Sequence, residues 1–131
     1  MLCSLRAPAR SVTIGEVRRR TGMTIRAIRF YEEKGLIASA RDGRGQRRYD
    51  TQTVERLLFI GQARQAGLQI AEIRRLLAIG DRDGEDQRLA WAQELYGQRL
   101  AALDDQRAAV EASAQALGLS LQPQRPQLVA L

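Results

Sequence analysis

The chain has 131 residues, 44% of them hydrophobic, 27% charged and only 5% aromatic, with a formal charge of +6. That is room for one domain, or one small domain with an appendage, and its core must rest on Leu, Ile, Val and Ala, which suits helices better than a sheet. There is no histidine and one cysteine, Cys3, which excludes His-based acid–base catalysis, Ser-His-Asp triads, His-ligated zinc and an intramolecular disulfide within this chain.

The first residues, MLCSLRAPAR, are too short and too weakly apolar for a signal peptide and read as a flexible leader, residues 1–11. Thr13-Ile14-Gly15-Glu16 has the form of a capping box, with the hydroxyl bonding an amide three residues on and Glu16 reaching back. A helix is predicted from Ile14 to Arg20 or Thr21, stopped at Gly22. Thr24 is the next N-cap, and a second helix is predicted from Ile25 to about Lys34, with Ile25 and Ile28 on one face and Gly35 at its end. Two helices separated by a tight glycine-containing turn have the spacing of a helix-turn-helix.

Asp42, Gly43 and Gly45 then signal a turn between extended stretches near Leu36–Ala40 and Gln46–Tyr49, a small hairpin. Asp50 caps a third helix, about Thr51 to Ala66 with Gly67 beyond it. Its apolar positions Val54, Leu57, Leu58, Ile60 and Ala63 predict that it is well buried. A fourth helix, about Ile70 to Ile79, carries Ile70, Ile73, Leu76 and Leu77 as its core stripe and ends at Gly80. Residues 81–86, DRDGED, form an acidic break. Its carboxylates Asp81, Asp83, Glu85 and Asp86 lack the spacing of a calcium loop and read as a solvated helix start.

A long helical pattern follows from about Glu85 to Leu117, roughly 50 Å at the helical rise. Leu89, Tyr96, Leu103, Val110 and Leu117 recur every seven residues, while the companion seam of Ala92, Arg99, Gln106 and Ser113 is only weakly apolar. Such a helix cannot bury its stripe alone. Folding back on the N-terminal part is one way to cover it, but the length favours a second copy of the chain as partner. The tail from residue 119, with Pro123 and Pro126, is predicted to be irregular. No apolar run approaches the length of a membrane span, so no membrane partner is expected, and the single cysteine fits a reducing, cytoplasmic compartment.

Charge divides along the same line. Residues 1–80 carry 16 basic and 7 acidic groups, and residues 81–131 carry 5 basic and 8 acidic groups. A basic front suggests contact with a polyanion and an acidic rear a different task. The predicted organisation is therefore a basic unit with helix-turn-helix spacing over 12–80, a long helix seeking a second copy over 81–118 and a tail over 119–131.

In order, the segments TIGEVRRRTGMTIRAIRFYEEKGLI, GQRRYD and VERLLFIGQARQAGLQIAEIRRLL resemble the MerR family of bacterial transcriptional regulators, and the resemblance covers residues 12–79. It implies a mainly α fold: a winged helix-turn-helix DNA-binding domain followed by a long helix that dimerises as an antiparallel coiled coil. No nucleophile–base pair, phosphate loop or paired-carboxylate pocket is apparent in the sequence, so no enzymatic activity and no cofactor are expected. Two positions depart from the family pattern: Gln46 stands where the wing usually has an aromatic, and Gln69 replaces a hydroxyl N-cap, so the start of the fourth helix is expected to be less well fixed.

The residues of this front half that would meet DNA are Thr13, Thr24, Arg26, Arg29, Phe30 and Tyr31 of the helix-turn-helix and Arg41, Arg44, Arg47, Arg48 and Tyr49 of the wing. By resemblance, Tyr31 places its hydroxyl on a phosphate. Phe30 has an alternative role in the core. Arginines on a loop are more often phosphate clamps than base readers. Arg18 and Arg19 are candidates too, although cations near a helix C-terminus also stabilise the helix itself. Leu89, Ala92, Tyr96, Leu103, Val110 and Leu117 are the expected dimer contacts.

The resemblance further implies a homodimer on a near-palindromic promoter operator, distorting the duplex so that RNA polymerase can use a promoter with an over-long spacer. Metal- and redox-sensing relatives hold their ion or cluster with cysteines. With no cysteine after Cys3, the expected effector is not held by thiolates. No separate ligand-binding domain is expected after the long helix. Trp91, Leu95 and Tyr96 are the expected lining of any small-molecule site, or else simply dimer packing. A DNA-bending architectural protein without an effector, like an excisionase, is the alternative function.

Overall fold

The computed structural model describes residues 11–121, which run β1 (Val12–Thr13), α1 (Ile14–Thr21), α2 (Ile25–Glu33), β2 (Ala40–Arg41), β3 (Arg47–Tyr49), α3 (Thr51–Gln65), α4 (Ile70–Asp83) and α5 (Glu85–Ala116). The leader through Arg10, with Cys3, and the tail from residue 122 lie outside the described residues.

Short polar side chains set where the first three helices begin. Thr13 Oγ1 accepts from the Glu16 amide at 3.2 Å, Thr24 Oγ1 from the Ala27 amide at 3.1 Å, and Asp50 Oδ1 from the Thr53 amide at 2.7 Å. Each cap satisfies an amide that the helix itself leaves unpaired and contributes about 1 kcal/mol. At the end of α1, Gly22 turns the chain at φ 71°, a conformation that costs an L side chain but not glycine.

Two expectations about helix starts need correction. Glu16 does not close a capping box; its carboxylate pairs with Arg19 and Arg20 instead. Conversely, α4 is well fixed without a hydroxyl cap, because the Glu72 carboxylate reaches back to accept from the Gln69 amide at 2.9 Å. The end of α4 also differs from expectation. The helix passes through Gly80 to Asp83, and Gly84, at φ 98°, caps it.

Glycine inside a helix costs roughly 0.5–1 kcal/mol relative to alanine. Gly80 is accounted for by Arg88 of α5, whose guanidinium fills the place a Cβ would take. Arg88 also lies 5.5 Å from the centroid of the Phe59 ring and pairs with Glu85 at 2.6 Å. Gly80→Ala is therefore expected to stabilise the protein by about 0.5–1 kcal/mol only when Arg88→Ala accompanies it. Denaturant unfolding of the single and double variants tests this; an equal effect in both backgrounds would separate the glycine from Arg88.

The predicted hairpin gains a third strand. The sheet order is β1-β3-β2, all antiparallel, with Val12 opposite Tyr49, Thr13 opposite Arg48, Ala40 opposite Arg48 and Arg41 opposite Arg47. The core beneath it contains Val17, Ile28, Leu36, Tyr49, Leu57, Ile60, Leu68, Ile73, Leu76 and Leu77, all essentially inaccessible. Leu58, expected inside, is exposed, because it lies off the face of α3 that Thr53, Leu57 and Ile60 bury.

Polar bonds brace this packing. Arg56 of α3 donates from Nε and Nη2 to the Leu36 carbonyl at 3.1 and 3.0 Å, and from Nη1 to both oxygens of Asp81 at 2.7 and 2.9 Å. It thus joins the exit of α2 to the last turns of α4.

The acidic stretch is helical on both sides of Gly84 rather than a break. Asp81 pairs with Arg56, Asp83 with Arg82 and Glu85 with Arg88. The described residues divide into two compact units, one ending at Ala92 and one starting at Gln93. α5, 32 residues and about 48 Å long, contributes to both. Along it Leu89, Leu103, Val110 and Leu117 are 54%, 40%, 57% and 72% exposed. Its C-terminal end is closed by Gly118 at φ 70°, with the Leu119 amide bonding back to the Ala114 carbonyl at 2.9 Å.

Candidate nucleic-acid interface

The second helix of the helix-turn-helix has one seated face and one open face. Ile28 is fully buried, whereas Thr24, Arg26, Arg29 and Phe30 are exposed. Arg26, Arg29 and Phe30 stand three and four residues apart, so they share a helix face. Among the described residues neither Arg26 nor Arg29 is held in an ion pair, which leaves both guanidiniums free to donate to phosphates or base edges. Phe30 is 41% exposed, so its alternative role in the core does not hold. It packs edge-on against the half-buried Tyr31, ring centroids 5.4 Å apart, with Lys34 Nζ 5.5 Å from its own ring. Arg29→Ala is expected to weaken binding to a specific site by about 1–3 kcal/mol; unchanged affinity in a titration would remove Arg29 from the interface.

The wing turn is organised by Asp42. Its Oδ1 accepts from the amides of Arg44 at 2.8 Å and Gln46 at 3.0 Å, and its own amide bonds the Gln46 carbonyl at 2.9 Å. Gly45, at φ 77°, completes the turn. Arg41 donates to the Gly45 carbonyl at 2.7 Å. Arg44 is exposed at the tip and has no ion pair among the described residues.

The three residues of β3 part company, because successive side chains of a strand face opposite ways. Arg48 turns to Ser11, bonding its hydroxyl at 2.7 Å and its carbonyl at 3.1 Å. Arg47 turns to α2, where its Nε donates to Glu32 Oε2 at 3.1 Å. Tyr49, on the same face as Arg47, is 1% exposed. Its side chain is therefore a core element under the wing rather than a surface contact, a correction to the reading of Tyr49 as a DNA-contacting residue.

Glu32 sits between Arg47 and Tyr49. Burial pushes its carboxyl up, but the Ser39 hydrogen bond, the Arg47 charge and the Tyr49 hydroxyl together hold it below the ordinary carboxylate value. Burial, then the Glu32 charge, pushes the Tyr49 phenol up. Glu32 is thus an anion and Tyr49 a neutral phenol near neutral pH.

On α1, Arg18 is exposed and outside any ion pair among the described residues, whereas Arg19 and Arg20 share Glu16. Thr13 is exposed, with its oxygen engaged as the cap. Trp91 is 50% exposed, Leu95 and Tyr96 are half-buried and Ala92 is buried. Three residues that organise this region, Glu32, Asp42 and Arg56, are absent from the sequence-based candidates. Asp42 was at least legible as part of the turn; the partners of Glu32 and Arg56 are 15 and 20 or more residues away.

A family model described as MerR HTH family regulatory protein matches residues 12–78, and one described as MerR, DNA binding matches residues 54–118. The chain is 47% identical over 62 residues to the HTH-type transcriptional regulator TnrA of Bacillus subtilis (strain 168), covering 47% of this chain and 56% of that protein. It is 44% identical over 69 residues to the HTH-type transcriptional regulator CueR of Yersinia pestis, covering 52% and 50%. The match thus spans about half the length of these curated relatives. The crystal structure of the transcription regulator PbrR691 from Ralstonia metallidurans CH34, in complex with lead(II), superposes with a TM-score of 0.63 at 29% identity, covering 88% of this chain and 92% of that one. With the arginine-bearing second helix and the three-stranded wing, these matches establish that the chain belongs to the MerR family of DNA-binding transcriptional regulators.

Proposed function

We propose that the protein acts as a homodimer on a near-palindromic promoter operator, distorting the duplex between promoter elements for RNA polymerase in response to an effector held without thiolates. The observation that carries the dimer is the open stripe of α5. Its apolar residues are spaced symmetrically about Leu103, so two antiparallel copies crossing there would set Leu89 against Leu117, Tyr96 against Val110 and Leu103 against itself. The two buried alanines of α5, Ala92 and Ala114, stand eleven residues either side of the same centre.

The DNA contacts proposed are Thr13, Arg18, Thr24, Arg26, Arg29, Phe30, Tyr31, Arg41, Arg44 and Arg48, with Arg19 and Arg47 available from their carboxylate partners. A dimer with two DNA-binding units suits an operator of two half-sites. No helix among the described residues is long and apolar enough to cross a membrane, which agrees with action in the cytoplasm on promoter DNA.

Sedimentation of the purified chain, followed by footprinting over the promoters of its source genome at several salt concentrations, tests the proposal. A dimer protecting a promoter spacer is expected. Its affinity should fall about 10³–10⁵-fold between 50 and 200 mM salt, as six to ten phosphate contacts require. A monomer, or protection confined to sites outside promoters, would overturn it.

A further inference from the structure

Glu32 is the anomaly of the DNA-facing region. A carboxylate on the second helix of the helix-turn-helix opposes the field that attracts a polyanion. Its surroundings nonetheless favour the anion, with Ser39, Arg47 and Tyr49 all stabilising the charged carboxylate. The bond it accepts from Arg47 Nε, at 3.1 Å, crosses between elements, from β3 to α2.

β3 is the middle strand, bonded to both β1 and β2. Whatever fixes β3 also fixes the Asp42–Gln46 turn that carries Arg44. Glu32 engages one edge of Arg47, whose side chain remains 33% exposed while that of Glu32 is 18% exposed. The guanidinium is therefore held in place without being hidden.

We propose that Glu32 is a positioning residue for DNA recognition: through Arg47 it sets the wing against α2, and so determines how strongly the protein distinguishes its own site from other DNA. The inference rests on the wing arginines meeting DNA, as proposed above. Attraction to any duplex needs only positive charge, and removing Glu32 would strengthen it. Selectivity needs the helix and the wing to reach their contacts at once, and this is what the Glu32–Arg47 bond secures.

The test uses the full chain, a duplex enriched from a random-sequence library by the wild-type protein, and a scrambled duplex of the same composition. Glu32→Ala is expected to lower the ratio of the two affinities about tenfold, the size of one lost contact, while affinity for the scrambled duplex at low salt holds or rises. A general loss of structure would lower both affinities together. Hydroxyl-radical protections that depend on Arg44, defined by Arg44→Ala, should fade in Glu32→Ala while the remainder persist.

Because Glu32 acts through Arg47, Glu32→Ala should have almost no further effect on the ratio in an Arg47→Ala background. An unchanged ratio in the single variant, or a full additional loss in the double, overturns the proposal. If Glu32→Ala does not fold, Glu32→Gln, which keeps the shape and drops the charge, runs the same cycle with the same criteria. If Arg44→Ala changes neither affinity nor footprint, the wing is not on the DNA, and that reading falls together with this one.

Discussion

Replacing Leu103 by aspartate is expected to leave the protein monomeric and to cost operator affinity about 10²–10⁴-fold, the range by which two linked sites exceed one. In the proposed antiparallel dimer Leu103 meets its own copy, so a single substitution places two carboxylates face to face at the middle of the seam. Two like charges in a desolvated contact repel and lose hydration together. α5 itself should survive, because Leu103 is already 40% exposed in the single chain and the helix has 31 other residues to sustain it. Sedimentation and circular dichroism separate the two effects: a helical monomer supports the seam, whereas a variant that remains dimeric shows that α5 pairs through another face.

The second large effect is on stability. Ile28→Ala is expected to cost about 2–5 kcal/mol, the loss of a buried aliphatic side chain plus the cavity it leaves. Ile28 is fully buried under the face of α2 that exposes Arg26 and Arg29. The same residue therefore seats the helix and aims its arginines. Denaturant unfolding measures the cost, and a value below about 1 kcal/mol would mean that the site collapses around the smaller side chain. Under conditions where the variant is still folded, its affinity for DNA should fall more than a surface substitution would explain, since a shifted helix misplaces several contacts at once.

What could be read in the sequence was what neighbours in the chain decide. Thr13, Thr24 and Asp50 cap helices because each has an amide to satisfy three residues on, and a period of seven is visible in α5 without any partner. What could not be read depends on residues far away. β1 is two residues long and exists because β3 lies beside it. Gly80 looks like a stop until Arg88 is seen in the space its missing side chain leaves. Glu16 has the spacing of a capping box, but the cations one turn on, Arg19 and Arg20, take its carboxylate.

The wing shows the same division within three residues. Arg47, Arg48 and Tyr49 stand together beside the turn, and the sequence placed all three on DNA, Arg47 and Tyr49 by resemblance and Arg48 as a loop arginine. Strand alternation sends Arg48 to Ser11 and sends Arg47 and Tyr49 toward Glu32. Only the tertiary fold shows that Tyr49 is covered and that Arg47 has a carboxylate partner.

The Arg56 brace has a mechanical corollary. One guanidinium grips the carbonyl at the exit of α2 and both oxygens of a carboxylate on α4, so these parts of the head resist being bent relative to one another. When two springs are loaded in series, the softer one takes most of the strain. A head cross-tied in this way is the stiffer spring, and in the proposed complex with an operator the yielding would fall on the duplex, most cheaply at its flexible pyrimidine–purine steps.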